Sequence, residues 1–176
     1  MKRQMIFASL ILVGLFVGHV AAQDDVELDR MEDKLTRQLE NKMPGWKHRH
    51  GEPIQGSKGV LIDRWSAGNR VVSISVVRYD SAKSAQDVLQ PFIKHEPNKT
   101  ELRGVGDEGY AWGYGLGNVM FRRGKFVISV STYADVDSDS DAQTLTPSER
   151  GQRARSEIKR LSQEFAKPVV TAIDQP

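Results

Sequence analysis

Apolar side chains recur at three- and four-residue steps in three stretches of this chain, and that spacing is typical of amphipathic helices. We predict an N-terminal helix over 26–43, a middle helix over 84–92 and a C-terminal helix over 147–167. Thr146 and Glu149 have the spacing of a capping box at the start of the last helix. Pro168 is expected to end that helix, which makes 168–176 a loose tail.

Between these helices, apolar and polar residues alternate in short runs, as they do in half-buried strands. The predicted strands are 60–65, 70–79, 109–114, 119–122 and 125–133. Their short connections favour antiparallel neighbours. The pattern therefore predicts an α+β fold. We expect an antiparallel sheet of about five or six strands, with the three helices packed on it as a two-layer sandwich.

The first residues have the three-part pattern of a secretory signal peptide. Lys2 and Arg3 precede an apolar run, and Val20-Ala21-Ala22 offers the small residues that signal peptidase accepts. Residues 1–22 are therefore predicted to be removed, leaving 23–176 as a single domain with no transmembrane segment. A signal anchor is the alternative, but the run is short for a span of about 20 residues. We expect an exported protein, either periplasmic or secreted.

Charge and cysteine content narrow the class further. The formal net charge of the chain is +2, and loss of Lys2 and Arg3 with the signal would bring it to 0. That balance gives no electrostatic reason to expect nucleic acid as a partner. The sequence contains no cysteine, which excludes a thiol nucleophile and a thiolate metal site. A cysteine-free exported domain of this size favours a bacterial setting.

Gly104, Gly106 and Gly109 have the spacing of a dinucleotide-binding loop. Such a loop needs an apolar strand before it and a helix after it, because the helix N-terminus binds the pyrophosphate. Here a strand follows instead, and Asp107 and Glu108 would repel phosphate. We therefore predict a turn into a strand that binds no nucleotide, and no cofactor is expected.

Tyr110, Trp112 and Tyr114 lie at every second position of the strand that follows these glycines. On an extended strand the three rings would project together. They are our candidate ligand-binding residues, since flat ligands stack on such a row. Packing in the core is the other interpretation, and the more usual one for large aromatic side chains.

Two groups of residues are candidates for metal ligation, although no metal site is the favoured interpretation. Asp135, Asp137 and Asp139 begin an acidic loop over 135–141, but the glycine and glutamate of a calcium-binding hand are missing. His48 and His50 would share one face of an extended segment, with Glu52 or His95 as a third ligand. Lys47 and Arg49 beside them would oppose a cation.

No catalytic motif in the sequence has the context that its chemistry requires. We therefore expect an exported, non-enzymatic module that binds or senses an unknown small ligand or protein. One alternative is an accessory protein that binds another protein through a sheet face or the N-terminal helix. A second alternative is a hydrolase with a site that carries no recognisable motif. The oligomeric state is left open.

Overall fold

The computed structural model describes residues 23–51, 59–96 and 98–174, and in this part of the chain it confirms the α+β class. Three helices accompany one antiparallel sheet of seven strands. The helices are α1 (Gln23–Lys42), α2 (Ala82–Lys94) and α3 (Pro147–Asp174). The strands are β1 (Lys47–His50), β2 (Val60–Ala67), β3 (Arg70–Arg78), β4 (Thr100–Glu101), β5 (Glu108–Trp112), β6 (Asn118–Arg123) and β7 (Phe126–Ala134).

The strand order across the sheet is β1-β2-β3-β7-β6-β5-β4, with seven strands where five or six were expected. The two additional strands, β1 and β4, form the two edges. Their sequences are Lys-His-Arg-His and Thr-Glu, so neither has the apolar alternation from which a strand is recognised. Both exist because a neighbouring strand offers backbone hydrogen bonds to pair with.

Helices cover both faces of the sheet, which gives three layers instead of the two expected. We call the face under α1 and α3 the inner face; it carries Leu61, Trp65 and Ile74 together with apolar residues of both helices. Helix α2 lies on the opposite face, where Phe92 packs on Trp112. The main hydrophobic core is therefore the layer between the sheet and the α1–α3 pair.

The apolar stripe of α1 belongs to this core. Leu35 and Leu39 have no exposed surface, and Leu28 and Met31 are also buried. A helix docks in this way when one face is apolar and the other polar. The stripe is thus buried against the rest of the protein, so it offers no surface for another protein to bind.

Helix α3 begins as predicted and ends later than predicted. Thr146 Oγ1 accepts from the backbone N–H of Glu149 at 3.3 Å, and Glu149 accepts from the Thr146 N–H at 2.8 Å, which completes the capping box. The expected end at Pro168 and the loose tail after it are wrong as far as Asp174, because the helix continues through Pro168. Pro168, Val169 and Ala172 are buried, and this packing offsets the hydrogen bond that the proline cannot make.

The glycine-rich segment before β5 forms a turn that leads into the strand, as predicted. Asp107 in this turn accepts hydrogen bonds from the backbone of Gly124 at 2.8 Å and from Arg123 at 2.7 Å. Burial alone would raise the pKa of Asp107, but these bonds and the charge of Arg122 outweigh it and hold the pKa below its usual value. The turn is therefore fastened to the β6–β7 hairpin.

Residues 1–22 lie outside the described part of the chain, so the signal peptide stays a prediction. Within the described residues, no helix combines the length and the apolar character needed to cross a membrane.

Candidate functional site: a histidine–carboxylate cluster at the sheet edge

Four ionisable side chains meet where the edge strand β1 lies beside α1. His48 and His50 come from β1, Asp63 from β2 and Glu32 from α1. In the β1–β2 ladder His50 lies opposite Asp63, and His48 lies opposite Trp65. Directly opposed residues of antiparallel strands point to the same face, so both imidazoles are on the inner face with Asp63. We call Glu32, His48, His50 and Asp63 the edge cluster.

Hydrogen bonds hold the edge cluster together. His48 Nε2 lies 2.8 Å from Asp63 Oδ1, and His50 Nδ1 lies 2.7 Å from Glu32 Oε1. His50 Nδ1 is also 3.5 Å from Asp63 Oδ1. An ionised carboxylate only accepts hydrogen bonds, so with both carboxylates ionised the facing imidazole nitrogens are the donors.

Asp63 is an unusual residue for this position, because its side chain has 0% exposed surface. Its Oδ1 atom is hydrogen-bonded to His48 and lies 3.5 Å from His50 Nδ1, whereas its Oδ2 atom is buried without a hydrogen-bond partner. A buried carboxylate oxygen left without a partner costs free energy. Such atoms are few in native structures, and each calls for an explanation, of which a bound ion or an ordered water is one.

The pKa of Glu32, at the solvent side of the edge cluster, is raised. Burial is the main reason that its pKa lies above the usual value of a glutamate, and the neighbouring Asp63 adds to the rise. The two imidazoles act in the opposite sense without cancelling the effect. Glu32 and His50 are nevertheless open to solvent, with 27% and 48% of their side-chain surfaces exposed. A ligand can therefore reach the cluster from outside.

Aromatic packing orients His48. Its ring stacks on Trp65 at a centroid distance of 4.6 Å and an angle of 21°. Trp65 has no exposed surface and packs on Phe165 of α3, which in turn contacts Trp46. The imidazole is thus held between a rigid aromatic support and the Asp63 carboxylate, so its Nε2 atom stays directed at Oδ1.

The cluster is suited to binding a cation. It combines two carboxylates with two imidazoles, and Lys47 and Arg49, which the sequence suggested would oppose a cation, alternate with the histidines and face the other way. The His48–Asp63 pair resembles the base half of a hydrolytic triad. However, among the described residues no hydrogen bond of His48 reaches a hydroxyl group that could act as nucleophile.

The predicted aromatic row is divided between two faces. Tyr110 and Trp112 are half-buried on β5, and the Trp112 ring contacts Phe92 of α2 at 5.8 Å. Gly113 then adopts a φ of 79°, and Tyr114 turns towards α3, where its hydroxyl donates to the Gly151 carbonyl at 3.1 Å. The expectation that three rings project together is therefore wrong. Ligand binding by Tyr110, Trp112 and Tyr114 stays a prediction.

In the acidic loop the aspartates have partners from the protein itself. Asp139 pairs with Arg70 at 2.9 Å, and Asp137 lies 3.7 Å from Arg150. Asp135 accepts the backbone N–H of Asp137 at 2.9 Å. These contacts fasten the loop to β3 and α3, so its charges serve the fold.

Sequence reasoning found the two histidines and missed their carboxylate partners. His95, proposed as a third ligand, is at the end of α2 on the opposite face, and Glu52 lies outside the described residues. Asp63 did carry a signal, because it falls between Leu61 and Trp65 on the inward side of a strand. Glu32 carried none, since contact between α1 and β1 is a tertiary event.

Comparison with known proteins provides no further assignment: no protein family, no curated protein and no solved structure matches the chain.

Proposed function

We propose that this protein is an exported, non-enzymatic binding or sensing module, periplasmic or secreted, whose ligand is a cation held at the edge cluster. The observation that carries this proposal is the buried Asp63 carboxylate, one oxygen of which has no partner. A residue of this kind lowers stability unless something binds it. Its position beneath two imidazoles and beside the solvent-open Glu32 supplies both a binding surface and a route of entry.

The charge of the cluster decides the class of ligand. Asp63 and Glu32 contribute two carboxylates, which are the acidic groups of the cluster. An anion would meet repulsion here, whereas a cation replaces the protons that the imidazoles now donate. A neutral ligand such as a sugar can donate a hydroxyl hydrogen to the buried oxygen, but it leaves the charge of the two carboxylates unbalanced.

Binding of a partner protein through the sheet is the second candidate function, and one observation favours it. The opposite face is not uniformly buried: Arg64 is exposed, and Ser73 and Ser75 beside it are half-buried. The other version of this hypothesis, docking through α1, loses its support because the stripe of α1 lies in the core.

A stability screen tests the proposed function. We would measure the melting temperature of the exported protein, without a polyhistidine tag, in a panel of chloride salts. Mg²⁺, Ca²⁺, Zn²⁺, Co²⁺ and spermidine would represent cations, and inorganic phosphate and maltose would represent anions and neutral ligands. We expect at least one cation to stabilise the fold, by about 2.7 kcal/mol at a concentration 100 times its Kd. Asp63→Asn should abolish this gain, since it removes the buried charge.

Two results would contradict the proposal. One is a panel in which no cation raises the melting temperature of the wild-type protein. The other is an equal gain in wild type and Asp63→Asn, which would place the binding elsewhere. Asp137→Asn in the acidic loop is the matched control and should keep the full response, because that aspartate pairs with Arg150 of α3 and is not a member of the edge cluster.

Export has its own test. The basic start, the apolar run and Val20-Ala21-Ala22 predict a mature chain that begins at Gln23. Intact-mass analysis of protein from the extracytoplasmic fraction should show this N-terminus. Recovery of membrane-bound protein that retains Met1 would instead indicate a signal anchor.

A further inference from the structure

We propose that the cation is a divalent transition-metal ion, with zinc the best match. Glu32, His50 and Asp63 would be its three protein ligands, and a fourth position would face solvent. This inference rests on the proposed function and narrows it to one class of ligand. Three protein ligands with an open position is a recurring arrangement for zinc.

The donor atoms already lie close to the spacing that such an ion needs. One ligand atom from each of Glu32, His50 and Asp63 falls within 4.8 Å of the other two. Bonds of about 2.0–2.2 Å in tetrahedral geometry place ligand atoms roughly 3.4 Å apart. The 3.5 Å from His50 Nδ1 to Asp63 Oδ1 fits this value. The 2.7 Å from His50 Nδ1 to Glu32 Oε1 is a hydrogen bond. It would open slightly as the metal replaces the proton on Nδ1.

The donor set favours a transition metal over calcium or magnesium. Calcium takes six to eight oxygen ligands, and magnesium takes an octahedral shell with several waters. An imidazole nitrogen between two carboxylates suits zinc and its neighbours in the first transition row. The absence of cysteine from the sequence leaves no thiolate to compete for the ion.

His48 acts in this site as a positioning residue. Its Nε2–H donates to Asp63 Oδ1, while its ring is held by the stack on Trp65. Carboxylates that bind metals are themselves held by hydrogen bonds from neighbouring groups, which fix their orientation. Oδ1 of Asp63 keeps a second lone pair for the ion, and no hydrogen bond to Oδ2 competes for the carboxylate.

The backbone around the site is held in place without a ligand. Gly51 follows His50 and donates its N–H to the Ile62 carbonyl at 2.7 Å, so β1 stays paired beside Asp63. A Cβ atom at Gly51 would lie only 2.7 Å from Ile62 Cγ2, so glycine is what allows this approach. On the other side, buried Leu28 and Leu35 fix the turn of α1 that carries Glu32. A site on such supports needs little rearrangement to bind.

Calorimetric titration with zinc chloride, together with the visible spectrum of the cobalt-loaded protein, tests the inference. We expect one equivalent of zinc, and cobalt bands of the intensity that four-coordinate sites show. Glu32→Gln and His50→Gln should each weaken zinc binding by about 100-fold or more, since each removes a ligand. His48→Phe keeps a ring on Trp65 but loses the hydrogen bond, and should weaken binding by about 10- to 100-fold at unchanged stoichiometry.

His95→Gln is the matched control, since His95 is an exposed histidine on the opposite side of the sheet. The zinc affinity of this variant should equal that of the wild-type protein. Circular dichroism of each variant would establish that it is folded; Glu32 and His50 are partly exposed, so their amide variants should fold. Equal zinc binding by wild type, Glu32→Gln and His50→Gln would overturn the metal site.

The outcomes separate this inference from the proposed function. If neither zinc nor cobalt binds, but calcium or spermidine stabilises wild type and not Asp63→Asn, the metal assignment fails and the cation-binding function stands. If no cation of the panel binds, both fail.

Discussion

Phe165→Ala should lower the free energy of unfolding by about 4 kcal/mol, because it truncates a large aromatic side chain in the core. Phe165 has no exposed surface. Its ring lies 4.9 Å from that of Trp46, just before the edge strand β1, and 6.2 Å from that of Trp65 in β2, so it joins α3 to this side of the sheet. These two large rings cannot move into the space that alanine leaves, so the cavity remains and adds to the lost burial.

Urea denaturation would measure this effect as a shift in midpoint at constant slope. Val26→Ala serves as the control, because Val26 is 47% exposed on α1 and its truncation should change stability by less than about 0.5 kcal/mol. A loss below about 1 kcal/mol for Phe165→Ala would show that α3 does not pack on the sheet edge as described. Because Trp65 supports His48, we also expect cation binding at the edge cluster to weaken in this variant.

Gly115→Ala should destabilise the protein by about 3 kcal/mol, although it adds only one methyl group. Gly115 has a φ of 61°, where a side chain costs about 1–2 kcal/mol. In addition, a Cβ atom there would lie 2.8 Å from the Arg155 carbonyl oxygen of α3. Backbone of a helix cannot give way as the end of a side chain can, so overpacking adds about 1–3 kcal/mol.

Gly68→Ala isolates the contribution of the helix contact. Gly68 has a similar φ of 54°, and a Cβ atom there would meet nothing within 4 Å. Both substitutions restrict the unfolded chain equally, so that effect cancels in the comparison. We expect Gly115→Ala to lose at least about 1 kcal/mol more than Gly68→Ala in urea denaturation. Equal losses would mean that α3 does not approach the backbone at Gly115.

Local patterns were sufficient for much of the fold. The helical stripes and the Thr146–Glu149 capping box depend on neighbours within one or two turns, so they can be recognised in the chain alone. The alternation in β2, β3 and β7 likewise predicted strands of which one face is buried. Short connections then required antiparallel pairing, and the observed ladders have it.

Long-range packing decided what those patterns could not. Pro168 should end a helix by local rules, yet burial of the last turns of α3 keeps the helix intact. Tyr114 should continue the row of Tyr110 and Trp112. Instead, the close approach of α3 at Gly115 ends the strand early and turns the ring to that helix.

The candidate site, too, was predicted only in part from the sequence. Spacing alone put His48 and His50 on one face, because any extended segment places alternate residues together. Alternation in β2 placed Asp63 on the inward side of its strand, but only the tertiary structure could bring Asp63 and Glu32 to the histidines. Strand register and the docking of α1 depend on contacts between residues far apart in the chain, and such contacts leave no periodic signal in the sequence.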